Sequence, residues 1–222
     1  CSRDETYYSC NDDCSRCIES FVNKGIPLFV AYYRRSLPRF KQVHTWLQNN
    51  EIGEVRHINW YFCKPPNAID LSGAYNWRTD SKIAPGGYFD DLASHGLDLF
   101  TFLLGDIKTA SGITHNQQGL YTAKDTVAAC WLHENGITGT GNWNFGSDRR
   151  EDYVEIIGSK GKIEFSVFKE EPLVFKLGAQ EQQNYIELTP HIKAHNVAKI
   201  NKLLLHPSCY WNIFFTYQLG YG

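Results

Sequence analysis

The sequence predicts an α+β fold: a large, mostly antiparallel sheet with helices on one face, preceded by a separate helix–strand pair. Two observations carry the prediction. From Lys108 to Leu188, strand-length apolar runs follow one another, broken by turn signals at Asn135-Gly136, Gly158–Gly161 and Gly178. Consecutive strands joined by short turns pair antiparallel. Just ahead of them, Leu97, Leu99, Phe100, Phe102, Leu103 and Leu104 make a helix over Gly87–Leu104 apolar enough to be largely buried against such a sheet.

The elements follow in order. Asp12–Asn23 reads as a helix, with Asn11, Asp12 and Asp13 suited to its first turn and Lys24-Gly25 to stop it. Cys10, Cys14 and Cys17 fall at i, i+4 and i+7 and continue into Ile18, Phe21 and Val22, one face of that helix. The same cysteine spacing serves a [4Fe–4S] cluster in radical S-adenosylmethionine enzymes. Those enzymes need a barrel of alternating strands and helices, and nothing downstream reads that way, so small buried thiols on a packed helix are the preferred reading. Pro27–Tyr33 is a continuous apolar run of buried-strand type. Pro38 opens a helix through Phe40, Val43, Trp46 and Leu47 that Asn49-Asn50 ends. Val55–Phe62 alternates, with Ile58, Trp60 and Phe62 on its apolar side. Lys64–Ala84 carries Pro65-Pro66 and is irregular, a length of loop that is often functional. The later strands are expected at Lys108–Thr114, Thr126–His133, Ile137–Phe145, Tyr153–Ile157, Lys162–Phe168, Leu173–Leu177 and Asn184–Leu188. The face of this sheet without helices is expected to be broad and apolar, a dimerisation surface.

Bulk properties exclude several classes. A chain of 222 residues with 42% hydrophobic content can bury a sizeable core. A net charge of −2 offers no case for nucleic acid or an anionic membrane. No apolar run could span a bilayer and no signal-peptide pattern opens the chain, so a cytoplasmic location is expected. The histidines outside Ala93–Leu99 are scattered, and no His-x3-His, paired Cys-x2-Cys or Gly-x-Ser-x-Gly occurs, so no metal site and no serine hydrolase is expected.

The chemistry concentrates in Gly86-Gly87-Tyr88-Phe89-Asp90-Asp91-Leu92-Ala93-Ser94-His95-Gly96-Leu97-Asp98. Asp91, His95 and Asp98 lie at i, i+4 and i+7 and share a helical face. The glycines at the entry let a ligand approach the backbone. An imidazole beside a carboxylate is suited to general-base work near neutral pH.

Around this motif, Val30-Ala31-Tyr32-Tyr33-Arg34-Arg35, Ile52-Gly53-Glu54-Val55, Trp77-Arg78, Leu104-Gly105, Asp125-Thr126-Val127-Ala128-Ala129 and Ile156-Ile157-Gly158-Ser159-Lys160-Gly161 follow in an order and spacing that resembles the second domain of the glucose–fructose oxidoreductase / inositol dehydrogenase / MocA family. The resemblance runs from about Ile26 to Leu188. It implies an NAD(P)-dependent oxidoreductase acting on a sugar or cyclitol, in which hydride leaves an alcohol carbon while a side chain takes the hydroxyl proton. Matched residue by residue, His95 is the base, Asp91 its carboxylate partner and Asp98 a structural residue. Trp77, Arg78, Tyr33 and Arg35 are the expected substrate contacts. Where the family has three glycines before the motif, this chain has Pro85, Gly86 and Gly87.

Family members open with a Rossmann domain, and no Gly-x-Gly-x-x-Gly between strand and helix is found here. The nearest run, Gly136 to Gly141, follows the Asn135-Gly136 turn and reads as part of a hairpin. The family's Glu-Lys-Pro lysine has no counterpart in Asp4-Glu5-Thr6-Tyr7-Tyr8-Ser9. The resemblance thus divides the chain into a Rossmann remnant (1–33), a substrate-binding and oligomerisation domain (34–190) and a divergent tail (191–222). NAD or NADP is expected for the parent family, with no tight cofactor binding by this chain and no assignable cofactor residues. A sugar or cyclitol and a second copy are the expected partners. The alternative is a non-catalytic dimerisation or ligand-binding module of the same fold.

Overall fold

The structure, a computed structural model, describes residues 15–28, 32–178 and 180–184. Residues 15–23 form the first helix, α1. Its cysteine face is only partly open to description, because Cys10 and Cys14 lie outside the described residues. Cys17 is exposed and Val22 is 60% exposed, so the apolar stripe expected to be packed is largely open on its described part. The strand expected over Pro27–Tyr33 is not found in its described residues. Pro27, Leu28 and Tyr32 are irregular, and Tyr33–Ser36 is a 3-10 turn closed by Leu37 N–H on Arg34 C=O at 3.0 Å.

Pro38–Gln48 is helix α2, opened by its proline at the first position, where no amide hydrogen is needed. β1 (Val55–Cys63) follows, then a loop holding the short helix α3 (Ala68–Leu71) and a 3-10 turn at Trp77–Thr79. Helix α4 (Tyr88–Leu104) precedes the strands β2 (Ile107–His115), β3 (Thr126–His133), β4 (Thr138–Asn144), β5 (Glu151–Gly158), β6 (Gly161–Phe165), β7 (Leu173–Leu177) and β8 (Gln180–Asn184). They form one eight-stranded sheet in the order β2-β3-β4-β1-β5-β6-β7-β8. Every neighbouring pair is antiparallel except β1 with β4.

The expected α+β sheet is therefore present, with local differences. β4 and β5 are consecutive but do not pair, because β1 sits between them. β6 ends at Phe165, earlier than expected. The buried Asp152 carboxylate draws the chain away from the ladder by accepting from Ser166 Oγ at 2.5 Å and Phe168 N–H at 2.6 Å. The last strand is Gln180–Asn184, and residues 185–188 of the expected one lie outside the described residues, as does the tail 191–222.

The core lies between the sheet and helices α2 and α4. Phe40 and Trp46 of α2 meet Phe165 and Phe175, with ring centroids 5.5 and 5.1 Å apart. Phe100 of α4 packs edge-on against Trp60 at 5.3 Å, and Phe89 against Trp143 at 5.0 Å. Buried aromatic pairs of this kind add to the stabilisation from area burial alone. α4 comes close enough to β1 only because residue 96 is glycine: a Cβ there would collide with the Trp60 ring. The helix is pinned by a buried ion pair, Arg35 Nε to Asp98 Oδ2 at 2.6 Å, with a second contact between Arg35 Nη2 and Asp98 Oδ1.

The opposite face of the sheet differs from the expected apolar surface. Its centre is a polar mesh. His57 Nδ1 meets Thr138 Oγ1 at 2.7 Å and His57 Nε2 meets Asn59 Oδ1 at 2.8 Å. On β5–β7, Lys162 Nζ lies 2.6 Å from Glu155 and 2.5 Å from Glu164, and Lys176 3.2 Å from Glu164. Its exposed large apolar groups are Tyr61, Ile113 and Tyr153, and Leu132, Ile157 and Val174 lie half-buried on the same side. The alternating strands bury their apolar side under the helices, and the other side is dominated by Thr, Asn, Glu and Lys.

Candidate functional site

The site is built at the entry to α4. Gly87, the residue before the helix, adopts φ +61° and ψ −134°, and a Cβ there would lie 2.7 Å from Lys124 C=O, so both conformation and space call for glycine. The Asp90 carboxylate folds back to accept Gly86 N–H at 2.9 Å. Asp90 and Asp91 together place two acids in the first turn, where the helix dipole favours them.

Asp91 and His95 share the face that their spacing predicts, but no hydrogen bond joins them. The Asp91 carboxylate is turned to Arg78, whose Nε donates to Oδ2 at 3.3 Å. Both groups are nearly half exposed, at 43% and 45%. Asp91 is therefore open to solvent and not buried with the rest of α4. Arg78 also stacks on its neighbour, its guanidinium carbon 4.3 Å from the centroid of the Trp77 ring, and Trp77 is half exposed.

His95 sits in an aromatic collar of residues not singled out by the sequence. Tyr32 meets it edge-on at 5.5 Å and Phe168 at 6.4 Å. Its Nδ1 is buried with no hydrogen-bond partner. Burial holds the imidazole below the ordinary histidine range, and the Arg34 charge adds to that; Asp91 and Asp98 pull the other way, more weakly. Arg34 is the organiser here. Its Nε donates to Val167 C=O at 3.1 Å, and its guanidinium lies over Phe168 at 4.5 Å and Tyr33 at 4.9 Å.

The family resemblance pointed to Tyr33 and Arg35 as substrate contacts, in a segment expected to be strand up to Tyr33. The 3-10 turn redistributes the side chains. Tyr33 is exposed, Arg35 commits its guanidinium to Asp98, and Tyr32 and Arg34 approach His95 and Phe168. The pair Arg34-Arg35 was visible in the sequence. Its division of labour was not, because Val167 and Phe168 lie more than 130 residues away in the chain.

Whether these residues could hold a dinucleotide is decided by charge and backbone. A pyrophosphate needs a glycine turn leading into a helix N-terminus with free amides. The N-terminus of α4 already carries Asp90 and Asp91, and Gly86 N–H is taken. The Gly136–Gly141 run belongs to the β3–β4 hairpin, as expected. Neither the entry to α4 nor the β3–β4 hairpin offers such a cradle for a pyrophosphate. Among the described residues no cluster of histidine, cysteine and carboxylate could hold a metal ion, and no helix is long and apolar enough to cross a membrane.

Comparison with known proteins agrees with this architecture. Residues 40–164 match the model of the GFO/IDH/MocA C-terminal domain. Oxidoreductase P35 of Formosa agariphila is 29% identical over 201 residues, which cover 89% of this chain and 61% of that protein. An oxidoreductase from Agrobacterium radiobacter, solved in complex with NAD+, L-tartaric acid and magnesium, superimposes with a TM-score of 0.65 at 18% identity, covering 93% of this chain and 57% of its own. A levoglucosan dehydrogenase in complex with NADH and levoglucosan gives a TM-score of 0.62 at 18% identity, covering 72% and 47%. The chain thus spans about half to three-fifths of the length of these proteins. With its eight-stranded sheet, the helix entry carrying Asp91 and His95, and the match over residues 40–164, the chain belongs to the GFO/IDH/MocA family of oxidoreductases.

Proposed function

We propose that this chain is the substrate-binding and oligomerisation portion of an NAD(P)-dependent oxidoreductase acting on a sugar or cyclitol hydroxyl, with residues 34–190 as that domain. The observation that carries the reading is His95. Its imidazole is held neutral near pH 7 by burial, beside carboxylates that would stabilise the imidazolium formed on proton uptake. With Nδ1 closed in, Nε2 is the nitrogen that takes the hydroxyl proton. Asp91 acts on it only through space from the preceding turn, its carboxylate being turned to Arg78. Arg78, stacked on Trp77, presents its remaining N–H groups to ligand hydroxyls, and Tyr33 lines the rim. The nicotinamide would supply the hydride acceptor in such a reaction, and tight binding of NAD or NADP by this chain alone is not expected, because neither the α4 entry nor the β3–β4 hairpin cradles a pyrophosphate.

Saturation-transfer NMR of the 222-residue chain with a panel of hexoses, anhydrosugars and inositols tests the reading. Binding of at least one polyol, weakened by Arg78→Ala, is expected, together with no low-micromolar binding of NAD(H). In a cofactor-bearing form, His95→Ala lowers kcat about 10²–10⁴-fold at unchanged melting temperature. Failure of every polyol to bind at millimolar concentration would overturn the proposal in favour of the second reading, a non-catalytic module. That reading is favoured by one observation, the engagement of Asp91 by Arg78 instead of His95.

A further inference from the structure

We propose that Asp70, Asn76 and Tyr88 are positioning residues that hold Arg78 at the mouth of the site, an inference that deepens the substrate-binding reading and rests on it. Asp70 is 5% exposed, a buried carboxylate at the third position of the short helix α3. Its Oδ2 accepts the Tyr88 hydroxyl at 2.7 Å and Asn67 N–H at 3.2 Å, and its Oδ1 accepts Asn76 Nδ2 at 3.3 Å. Asn76 Nδ2 also donates to the Tyr88 hydroxyl at 2.9 Å, which closes a triangle of three side chains. The other end of the same amide, Asn76 Oδ1, accepts Arg78 N–H at 3.2 Å and caps the Trp77–Thr79 turn. Lys64 completes the frame. Its Nζ donates to Asn67 Oδ1 at 2.6 Å and lies 4.5 Å from the centroid of the Tyr88 ring, placing a positive charge near the buried carboxylate. Both the burial and the Asp70 bond push the Tyr88 phenol up to about 12, so it stays a hydrogen-bond donor through the working range of pH.

The consequence lies in where Tyr88 stands. It is the first residue of α4, three before Asp91. Asn76 thus ties the Trp77–Thr79 turn to the helix that carries Asp91 and His95. The Arg78–Asp91 pair cannot do this itself, because an ion pair between half-exposed groups is screened by water and too weak to order a loop. The buried triangle sets the distance, and the surface pair follows from it. A polyol that takes the free edge of Arg78 then meets a guanidinium already set beside Asp91, one turn before His95 on the same helix.

The test uses three variants of the full chain: Arg78→Ala, Asn76→Ser and Tyr88→Phe. Serine can still cap Arg78 N–H but cuts the tie to Tyr88 and Asp70; phenylalanine keeps the buried ring and removes only the hydroxyl. The first readout is the Arg78 Nε–H resonance, which the bond to Asp91 is expected to displace in the wild type. It is expected to move to the position of a free guanidinium in Asn76→Ser and in Tyr88→Phe. The second is the His95 titration midpoint by NMR. Arg34, Asp91 and Asp98 are the charges that act on this ring, with Tyr32 and Phe168 packed beside it. Freeing Asp91 from Arg78 raises the midpoint, so all three variants are expected to raise it, by roughly 0.3–1 pH unit. A purely structural triangle would lower the melting temperature and leave both readouts at their wild-type values in the folded protein, and that result overturns the proposal. If Asn76→Ser or Tyr88→Phe fails to fold, the remaining one of these two decides. Loss of polyol binding in every form, wild type included, would count against the substrate-binding reading, while the two NMR readouts still decide the role of the triangle.

Discussion

At the scale of single residues, burial decides which titratable groups matter. His133 is fully buried on the sheet. It sits between two partners of opposite demand: Trp131 Nε1–H donates to its Nε2 at 3.1 Å, and its Nδ1 lies 2.7 Å from Gly105 C=O. Those partners fix the neutral tautomer with the proton on Nδ1. Burial lowers the pKa of His133, against the weaker opposing pull of the Gly105 and Asp106 backbone. The unfolded chain therefore binds protons that the folded one refuses, and stability falls as pH drops below the ordinary histidine value of about 6.5. His95, lowered in the same way, acts in the same direction. We expect His133→Gln to lower Tm at every pH but to shrink the loss between roughly pH 7.5 and pH 5.5. Thermal melts at the two pH values measure this, and an unchanged difference between them would dismiss the role of His133. His95 itself was legible in the sequence from its spacing to Asp91. Its collar of Tyr32, Arg34 and Phe168 was not, since those contacts bridge the two ends of the described chain.

At the scale of elements, α4 links fold to site. Its C-terminal half is core and its first turn is chemistry, and both depend on how closely it lies against β1. Gly96 sets that distance, because the Trp60 ring occupies the space of its missing Cβ. Trp60 cannot easily yield: its Nε1–H donates to the buried Asp152 at 2.9 Å, and Phe100 and Trp143 pack against it. Gly96→Ala gains helix propensity but overpacks the contact, at a cost of about 1–3 kcal/mol. The expected result is a Tm lower by roughly 2–12 °C, read by calorimetry. An unchanged or raised Tm would show that α4 shifts freely, and would also remove the argument that its register fixes His95. The sequence placed this helix to within one residue, because its apolar run and entry glycines are local signals. It could not reveal that β1 separates β4 from β5, because parallel pairing across some 80 residues leaves no local mark.

For the whole molecule, the open sheet face bears on assembly. The expectation of a broad apolar surface gives way to a polar mesh with Tyr61 and Tyr153 directly paired across β1 and β5, and Ile113 on β2 exposed to 75%. Association through this face, which we hold as part of the proposed function, would then rest on a few aromatic and aliphatic anchors within a polar surround. It should be concentration-dependent, and weakened by Tyr153→Lys or Ile113→Asp with little change in Tm. Light scattering over a concentration series checks it. A monomer at all concentrations, for wild type and variants alike, would rule this face out.

The sequence by itself determined the family, the α+β class and the Asp91–His95 spacing. Each is written in short-range patterns: alternation for strands, a helical stripe of leucines and phenylalanines, and a fixed offset along one helix. Tertiary structure decided the insertion of β1, the polar character of the open face, the commitment of Arg35 to Asp98, and the turning of Asp91 to Arg78 in place of His95. These depend on which distant groups share a neighbourhood, and a charged side chain takes the partner that geometry and solvent offer it, not the nearest one in sequence.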